Sequence, residues 1–164
     1  MHTTGTTVTP DAAAPSPDAA AVPGSDIGVT RIDHVGLAVP DLDEAVDFHR
    51  RVFGMRCLHV EENEEQGVRE AMLAFGEDPA ASRIQLLAPL DSSSAIARFL
   101  DRSGPGLQQV AYTVEDLEAA SDALRARGVR LLYSAPKRGT ANSLVNFVYP
   151  QDAGGVLVEL VQPA

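Results

Sequence analysis

The chain has 164 residues, with 13 basic against 23 acidic side chains and a formal net charge of −10. That length suits one domain, and that charge argues against nonspecific binding to nucleic acid and against attraction to an anionic membrane, while leaving room for a local basic patch. A single cysteine, Cys57, excludes an intrachain disulfide and fits a reducing, cytoplasmic setting, and no apolar run is long enough to span a bilayer.

Residues 1–27 are rich in Thr, Ala and Pro and contain no Lys or Arg. Such a segment cannot bury enough apolar surface to offset its ordering entropy, so a disordered tail is expected there, with folding from residue 28 to 164. It lacks the basic and apolar regions of a signal peptide. Residues 31–39 alternate as a strand, with Ile32, His34, Gly36 and Ala38 on one face and Asp33, Val35, Leu37 and Val39 on the other. Pro40-Asp41 opens a helix over about 41–53, with Leu42, Ala45, Val46 and Phe53 at helical spacing and Gly54 as its stop. Strands are expected near 55–61, 68–75 and 83–88, which makes the first module βαβββ. Cys57 alternates with apolar neighbours and reads as a small buried hydrophobe. The run Glu61-Glu62-Asn63-Glu64-Glu65 reads as a solvated turn, or as the piece that positions the strand bearing Glu70.

A helical linker near 94–102, within 91–105, ends in the breaker Ser103-Gly104-Pro105-Gly106. The order then repeats. A strand is expected over 107–114 and a helix over 116–127, with Gly128 at its end. Strands follow near 129–133, 143–149 and 155–161. Pro136-Lys137-Arg138-Gly139 and Gly154-Gly155 mark the loops between them.

The repetition extends to the residues themselves. Ile32-Asp33-His34-Val35-Gly36-Leu37-Ala38-Val39-Pro40-Asp41-Leu42 returns as Leu107-Gln108-Gln109-Val110-Ala111-Tyr112-Thr113-Val114-Glu115-Asp116-Leu117, so that His34 falls on Gln109. Ile84-Gln85-Leu86-Leu87-Ala88-Pro89 returns as Val158-Glu159-Leu160-Val161-Gln162-Pro163, so that Gln85 falls on Glu159. Each copy is one folding unit. In each, one polar residue able to bind metal interrupts the first apolar strand and another interrupts the last. A pseudo-twofold would gather His34, Gln85, Gln109 and Glu159. The expected fold class is therefore α+β: two tandem βαβββ modules, about 30–90 and 106–164, forming a curved, mostly antiparallel eight-stranded sheet around a metal-binding cavity. Glu159 stands among Val156, Leu157, Val158, Leu160 and Val161, where a bare carboxylate is expensive. It needs a cation, a metal or a proton. Glu70 is a second such carboxylate. Its counterpart in the second copy reads as Leu144, so the architecture does not require it. Its competing role is a structural partner for Arg69. His49 and His59 read as packing or surface residues, and His2 belongs to the tail.

These stretches, with Asn63-Glu64-Glu65-Gln66-Gly67-Val68-Arg69-Glu70-Ala71-Met72, Ser94-Ala95-Ile96-Ala97-Arg98-Phe99-Leu100 and Gly154-Gly155-Val156-Leu157-Val158-Glu159-Leu160, resemble the vicinal oxygen chelate superfamily (glyoxalase, bleomycin resistance, dioxygenase). Within it they are most similar to methylmalonyl-CoA epimerases. The resemblance covers about 30–164. It implies a divalent metal (Co, Mn or Mg) held by His34, Gln85, Gln109 and Glu159, and an acyl-CoA or related malonyl substrate. It also implies Glu70 and Glu159 as the acid–base pair of an isomerase, and a homodimer. The chain departs from that pattern at Gln109, where such epimerases carry His. An amide carbonyl in place of imidazole moves the preference toward Mg²⁺ or Mn²⁺. It departs again at Tyr149-Pro150-Gln151, where His-Pro-Lys is usual, and at Thr140-Ala141-Asn142-Ser143-Leu144, which lacks the usual paired glycines and Arg. Lys137 and Arg138 are candidates for CoA phosphates or plain loop charges. Two rival readings keep the fold: a biosynthetic isomerase, decarboxylase or lyase acting on a related malonyl or β-dicarbonyl substrate, and a non-catalytic resistance-type protein that sequesters a small molecule.

Overall fold

The computed structural model describes residues 25–164. The expected tail lies outside these residues up to position 24. At Ser25–Ile27 the described chain forms a short 3₁₀ turn, with Ile27 packed against the second module's core and Asp26 paired with Arg127.

The first module runs β1 (Val29–Ala38), α1 (Leu42–Phe53), β2 (Arg56–Asn63), β3 (Val68–Ala74) and β4 (Arg83–Pro89). The connecting helix α2 (Ala95–Ser103) leads into the second module: β5 (Gly106–Val114), α3 (Leu117–Ala126), β6 (Lys137–Arg138), β7 (Leu144–Val148) and β8 (Leu157–Gln162). All eight strands form one sheet in the order β2-β3-β4-β1-β5-β8-β7-β6. The order is symmetric about the β1–β5 junction, which is antiparallel, as are all other pairs except β1–β4 and β5–β8.

The repeat is legible in the helix starts. Asp41 and Asp116 each cap a helix by accepting from the backbone N–H three residues on, Glu44 and Ala119, both at 2.9 Å. Gly54 ends α1 in the left-handed conformation at φ 66°. Each helix covers one module. Leu42 of α1 joins Met55, Ala71, Leu73, Leu86 and Ala88, while Leu117 and Ala120 of α3 join Val114, Val148, Val158 and Leu160. At roughly 2 kcal/mol for each buried Leu or Val, these layers hold the sheet in its curve.

Two expectations need correction. No strand forms over 129–133. Only an isolated bridge links Leu131 to Val148, and the short strand of this module is Lys137–Arg138, inside the expected loop. Asn146, fully buried, is the physical reason. Its amide accepts from the Tyr133 N–H at 3.1 Å and donates to the Tyr133 carbonyl at 3.0 Å, so at Tyr133 a side chain takes the place of the backbone, and the ladder stops after the Leu132–Phe147 and Tyr149–Arg130 backbone bonds. The second correction is one of register. Met72 pairs with Gln85 and Glu70 with Leu87, while Phe147 pairs with Glu159 and Val145 with Val161. The counterpart of Glu70 is therefore Val145, fully buried, and not Leu144, which is exposed. An apolar side chain fills that place in the second module.

At the junction two rows cross the sheet. One reads Gln85–Gly36–Gln109, the other His34–Ala111–Glu159. Each row has a small residue between two polar ones. A Cβ on Gly36 would lie 2.5 Å from Cγ of Gln109. Gly36→Ala is therefore expected to cost about 1–3 kcal/mol through overpacking and to push the Gln109 amide out of place. Urea denaturation would measure the first effect and the Gln109 side-chain amide resonances the second.

Candidate active site

All four residues expected at the pseudo-twofold are buried and converge. Gln109 Nε2 donates to Glu159 Oε2 at 2.6 Å and to Gln85 Oε1 at 3.1 Å. Gln85 Nε2 in turn donates to Glu70 Oε2 at 2.8 Å. The two carboxyls are thus the ends of a chain running through two amides. His34 Nε2 lies 3.2 Å from Glu159 Oε2, within ion-pair distance but off the geometry of a hydrogen bond.

The other ring nitrogen is fixed. His34 Nδ1 is 3.0 Å from Asp33 Oδ1, and Asp33 Oδ2 accepts from Thr113 Oγ1 at 2.8 Å. Strict alternation assigned Asp33 to the opposite face. A β-bulge between Ile32 and His34 breaks the alternation and buries both residues. Burial alone would push the Asp33 carboxyl up. The hydrogen bonds from His34 and Thr113, with the charges of His34 and Arg31, overcome it and hold the group at about 2. Burial likewise opposes the His34 imidazolium, but Asp33 and Glu159 on either side of the ring raise it to about 9.

Glu70 is 2 % exposed and meets no cation. Arg69, its sequence neighbour, makes a bidentate pair with Asp43 on α1 instead, at 3.0 Å through both oxygens. Burial raises the Glu70 carboxyl to about 7. A hydrogen bond from Thr140 opposes this, and the charges of Glu61 and Glu159 add to it. Thr140 was not singled out by the sequence. Its Oγ1 donates to Glu70 Oε1 at 2.6 Å and accepts from Gln85 Nε2 at 2.9 Å. It is placed by a turn in which Ala141 and Asn142 have φ of 52° and 61°, left-handed values that non-glycine residues adopt at a cost. The run of acidic residues before β3 does more than solvate a turn. Glu61 stands directly opposite Glu70 in the β2–β3 pairing. Lys137 is engaged by Glu65 at 2.7 Å, and Arg138 Nε by Asn142 at 2.9 Å. His49 bonds the Ala45 carbonyl within α1, as a packing residue would, and Cys57 is half-buried.

Two cavities meet at these residues. A cleft of about 440 Å³ is lined by Glu70, Gln85, Gln109 and Glu159, together with Gln66 and Tyr133. A smaller cavity of about 270 Å³ carries His34 and His59. Thr140 and Glu159 border both.

The donor set fits a hard divalent cation. His34 Nε2 is buried and makes no well-formed hydrogen bond, Asp33 holds its ring from behind, and Glu159 Oε2 and Gln85 Oε1 face the same point. Gln109 would join by presenting its carbonyl where its NH₂ now sits. Among the described residues no group of three or more His, Cys, Asp and Glu side chains gathers around one point, so both amides are needed to complete the set.

The model of the glyoxalase/bleomycin resistance protein/dioxygenase superfamily matches residues 33–149. A crystal structure of methylmalonyl-CoA epimerase from Mycobacterium tuberculosis is 55% identical, with a TM-score of 0.78 over 83% of this chain and 89% of that one. A Streptomyces coelicolor methylmalonyl-CoA epimerase in complex with 2-nitronate-propionyl-CoA is 43% identical, with a TM-score of 0.80 over 84% of this chain and 99% of that one. The ethylmalonyl-CoA/methylmalonyl-CoA epimerase of Cereibacter sphaeroides is 36% identical over 82% of this chain and 98% of its own length. By this match, and by its two fused βαβββ modules, the chain belongs to the glyoxalase/bleomycin resistance protein/dioxygenase superfamily.

Proposed function

We propose that the protein is a methylmalonyl-CoA epimerase, interconverting the two epimers at the carbon between the carboxylate and the thioester. The observation that carries this is Glu70: a carboxyl buried without a cation beside the ligand set, at a place the second module fills with Val145. A fold that merely had to pack would not keep a charge there. The relatives named as epimerases of this substrate support the same reading.

His34, Gln85, Gln109 and Glu159 would hold a divalent cation, with one nitrogen and three oxygens favouring Mg²⁺ or Mn²⁺. Such an ion supplies Lewis acidity toward the substrate's oxygens, lowering the cost of negative charge beside the α-carbon. The chain's own residues handle the proton. Epimerisation takes it from one face and returns it to the other, so one carboxyl must be ionised while its counterpart is protonated. Glu70, at about 7, is available in both forms near neutral pH. Glu159 enters from β8 in the opposite module and is the second carboxyl of the pair. Thr140 and Gln85 fix the Glu70 carboxyl from two sides, so that it meets the substrate in one orientation.

A second copy of the chain is the partner we assign. Phe48, Val52 and Phe53 on α1, with Leu58 and Val60 on β2, leave an apolar face exposed, as a homodimer interface would supply. Among the described residues no helix is long and apolar enough to cross a membrane.

The deciding experiment follows the α-hydrogen of methylmalonyl-CoA in D₂O by proton NMR, with Mg²⁺ or Mn²⁺ present. Exchange coupled to epimerisation is expected. Its absence with either ion and with Co²⁺ would remove this function. Glu70→Gln preserves shape and should lower kcat by about 10²- to 10⁴-fold while KM stays near the wild-type value. A chelator should abolish turnover. Gln109→His should tighten metal binding and move the preference toward Co²⁺ or Zn²⁺, read by calorimetric titration of the protein without substrate.

A further inference from the structure

Glu70 needs a path to water. Substrate entering the larger cleft covers its open side, and two of its three polar neighbours lead back into the site. Gln85 Nε2 is an amide nitrogen that only donates, and Thr140 Oγ1 is held between Glu70 and Gln85. The third neighbour is Glu61.

Glu61 faces Glu70 directly across the β2–β3 pair, which places the two side chains next to each other on one face of the sheet. Its Oε1 is buried and accepts from no donor hydrogen, so it is free to receive the proton that Glu70 gives up. Its Oε2 lies 2.6 Å from His59 Nε2. His59 and Glu61 are two residues apart on one strand and share a face. The side chain of Glu61 is 13 % exposed and that of His59 is 41 % exposed, so the line runs steadily outward. It also leaves by a separate door. His59 lines the smaller cavity with Arg83 and Met72 and takes no part in the larger cleft. Arg138, whose Nη2 is 3.7 Å from Glu61 Oε2, holds Glu61 in place from beside the turn that carries Thr140.

We propose that Glu61 and His59 are a proton relay serving Glu70 through the smaller cavity. The proposal rests on the epimerase reading. The proton taken from the α-carbon passes from the Glu70 carboxyl to the Glu61 carboxylate, then to His59 Nε2, and leaves from the ring to water. The reverse path reloads Glu70. Neither relay residue touches substrate.

The test starts from each epimer in turn in D₂O and compares deuterium entering unreacted substrate with epimerisation at equal conversion. In the wild type, Glu70 exchanges its proton before returning it, so residual substrate gains deuterium from the epimer that Glu70 deprotonates. Glu61→Gln and His59→Phe should each lower that ratio several-fold, from that epimer only, as the original hydrogen returns. Imidazole in the buffer should restore it in His59→Phe. A ratio unchanged in both variants overturns the relay, and so does a wild type that epimerises with no deuterium in residual substrate. If Glu61→Gln does not fold, His59→Phe decides alone. A wild type that neither exchanges nor epimerises overturns the epimerase reading, and the relay with it.

Discussion

The antiparallel pairing of β1 with β5 is the constraint on which the rest of the site depends. It sets Gly36 against Gln109 and His34 against Ala111, and the parallel outer neighbours add Gln85 to the first row and Glu159 to the second. Four polar side chains then face one another over two small residues. Neither module could do this alone, because each supplies one polar residue from its first strand and one from its last. The small residues matter as much as the ligands. Gln109 passes through the space a Cβ on Gly36 would take, and Ala111 is fully buried between His34 and Glu159.

Much of this arrangement was legible in the sequence because strand periodicity and a repeat are both local patterns. His34 and Gln109 at corresponding positions, and Gln85 and Glu159 likewise, needed no coordinates. What escaped were features that periodicity cannot register. The bulge at Asp33 turns a residue from the outer face onto the His34 ring, and only the pairing partner reveals it. The turn between β3 and β4 is one residue longer than that between β7 and β8, which moved the counterpart of Glu70 from Leu144 to Val145. Thr140 sits on an irregular turn in which Asn142 is a type that favours the left-handed conformation but Ala141 beside it is not, so the pair gives no clear sequence signal. At 129–133 the β-prone segment Val-Arg-Leu-Leu-Tyr is apolar enough for a strand, yet a buried amide 13 residues away takes the hydrogen bonds of its last residue, Tyr133, and cuts the pairing short.

The acidic residues of the first module divide by their surroundings and not by their type. Asp43 faces solvent and pairs with Arg69, Glu65 pairs with Lys137, and both are worth little to stability. Glu70, Glu159 and Asp33 are buried, and each is met by a different answer to the same desolvation cost. Asp33 meets it with His34 and Thr113, Glu159 with the Gln109 amide and the His34 ring, and Glu70 with a proton.

Asp33 and Glu159 also set the terms on which a cation would be held. Between them the His34 ring keeps a proton up to about 9, well above the ordinary histidine range. A cation binding at Nε2 has to displace that proton, so its affinity rises as pH rises toward that value and falls in acid. The Gln109 amide works in the same direction: its NH₂ now satisfies Glu159 Oε2 and Gln85 Oε1, and those bonds must be exchanged for coordination. An imidazole at the same position would present a ring nitrogen without that competition for Glu159. Replacing imidazole by amide at this one strand position therefore lowers affinity on two counts, by weaker donation and by a hydrogen-bonded alternative. On the reading proposed above, the chain would pair a ligand set that yields its ion more readily with an acid–base carboxyl, Glu70, raised by burial and by the charges of Glu61 and Glu159.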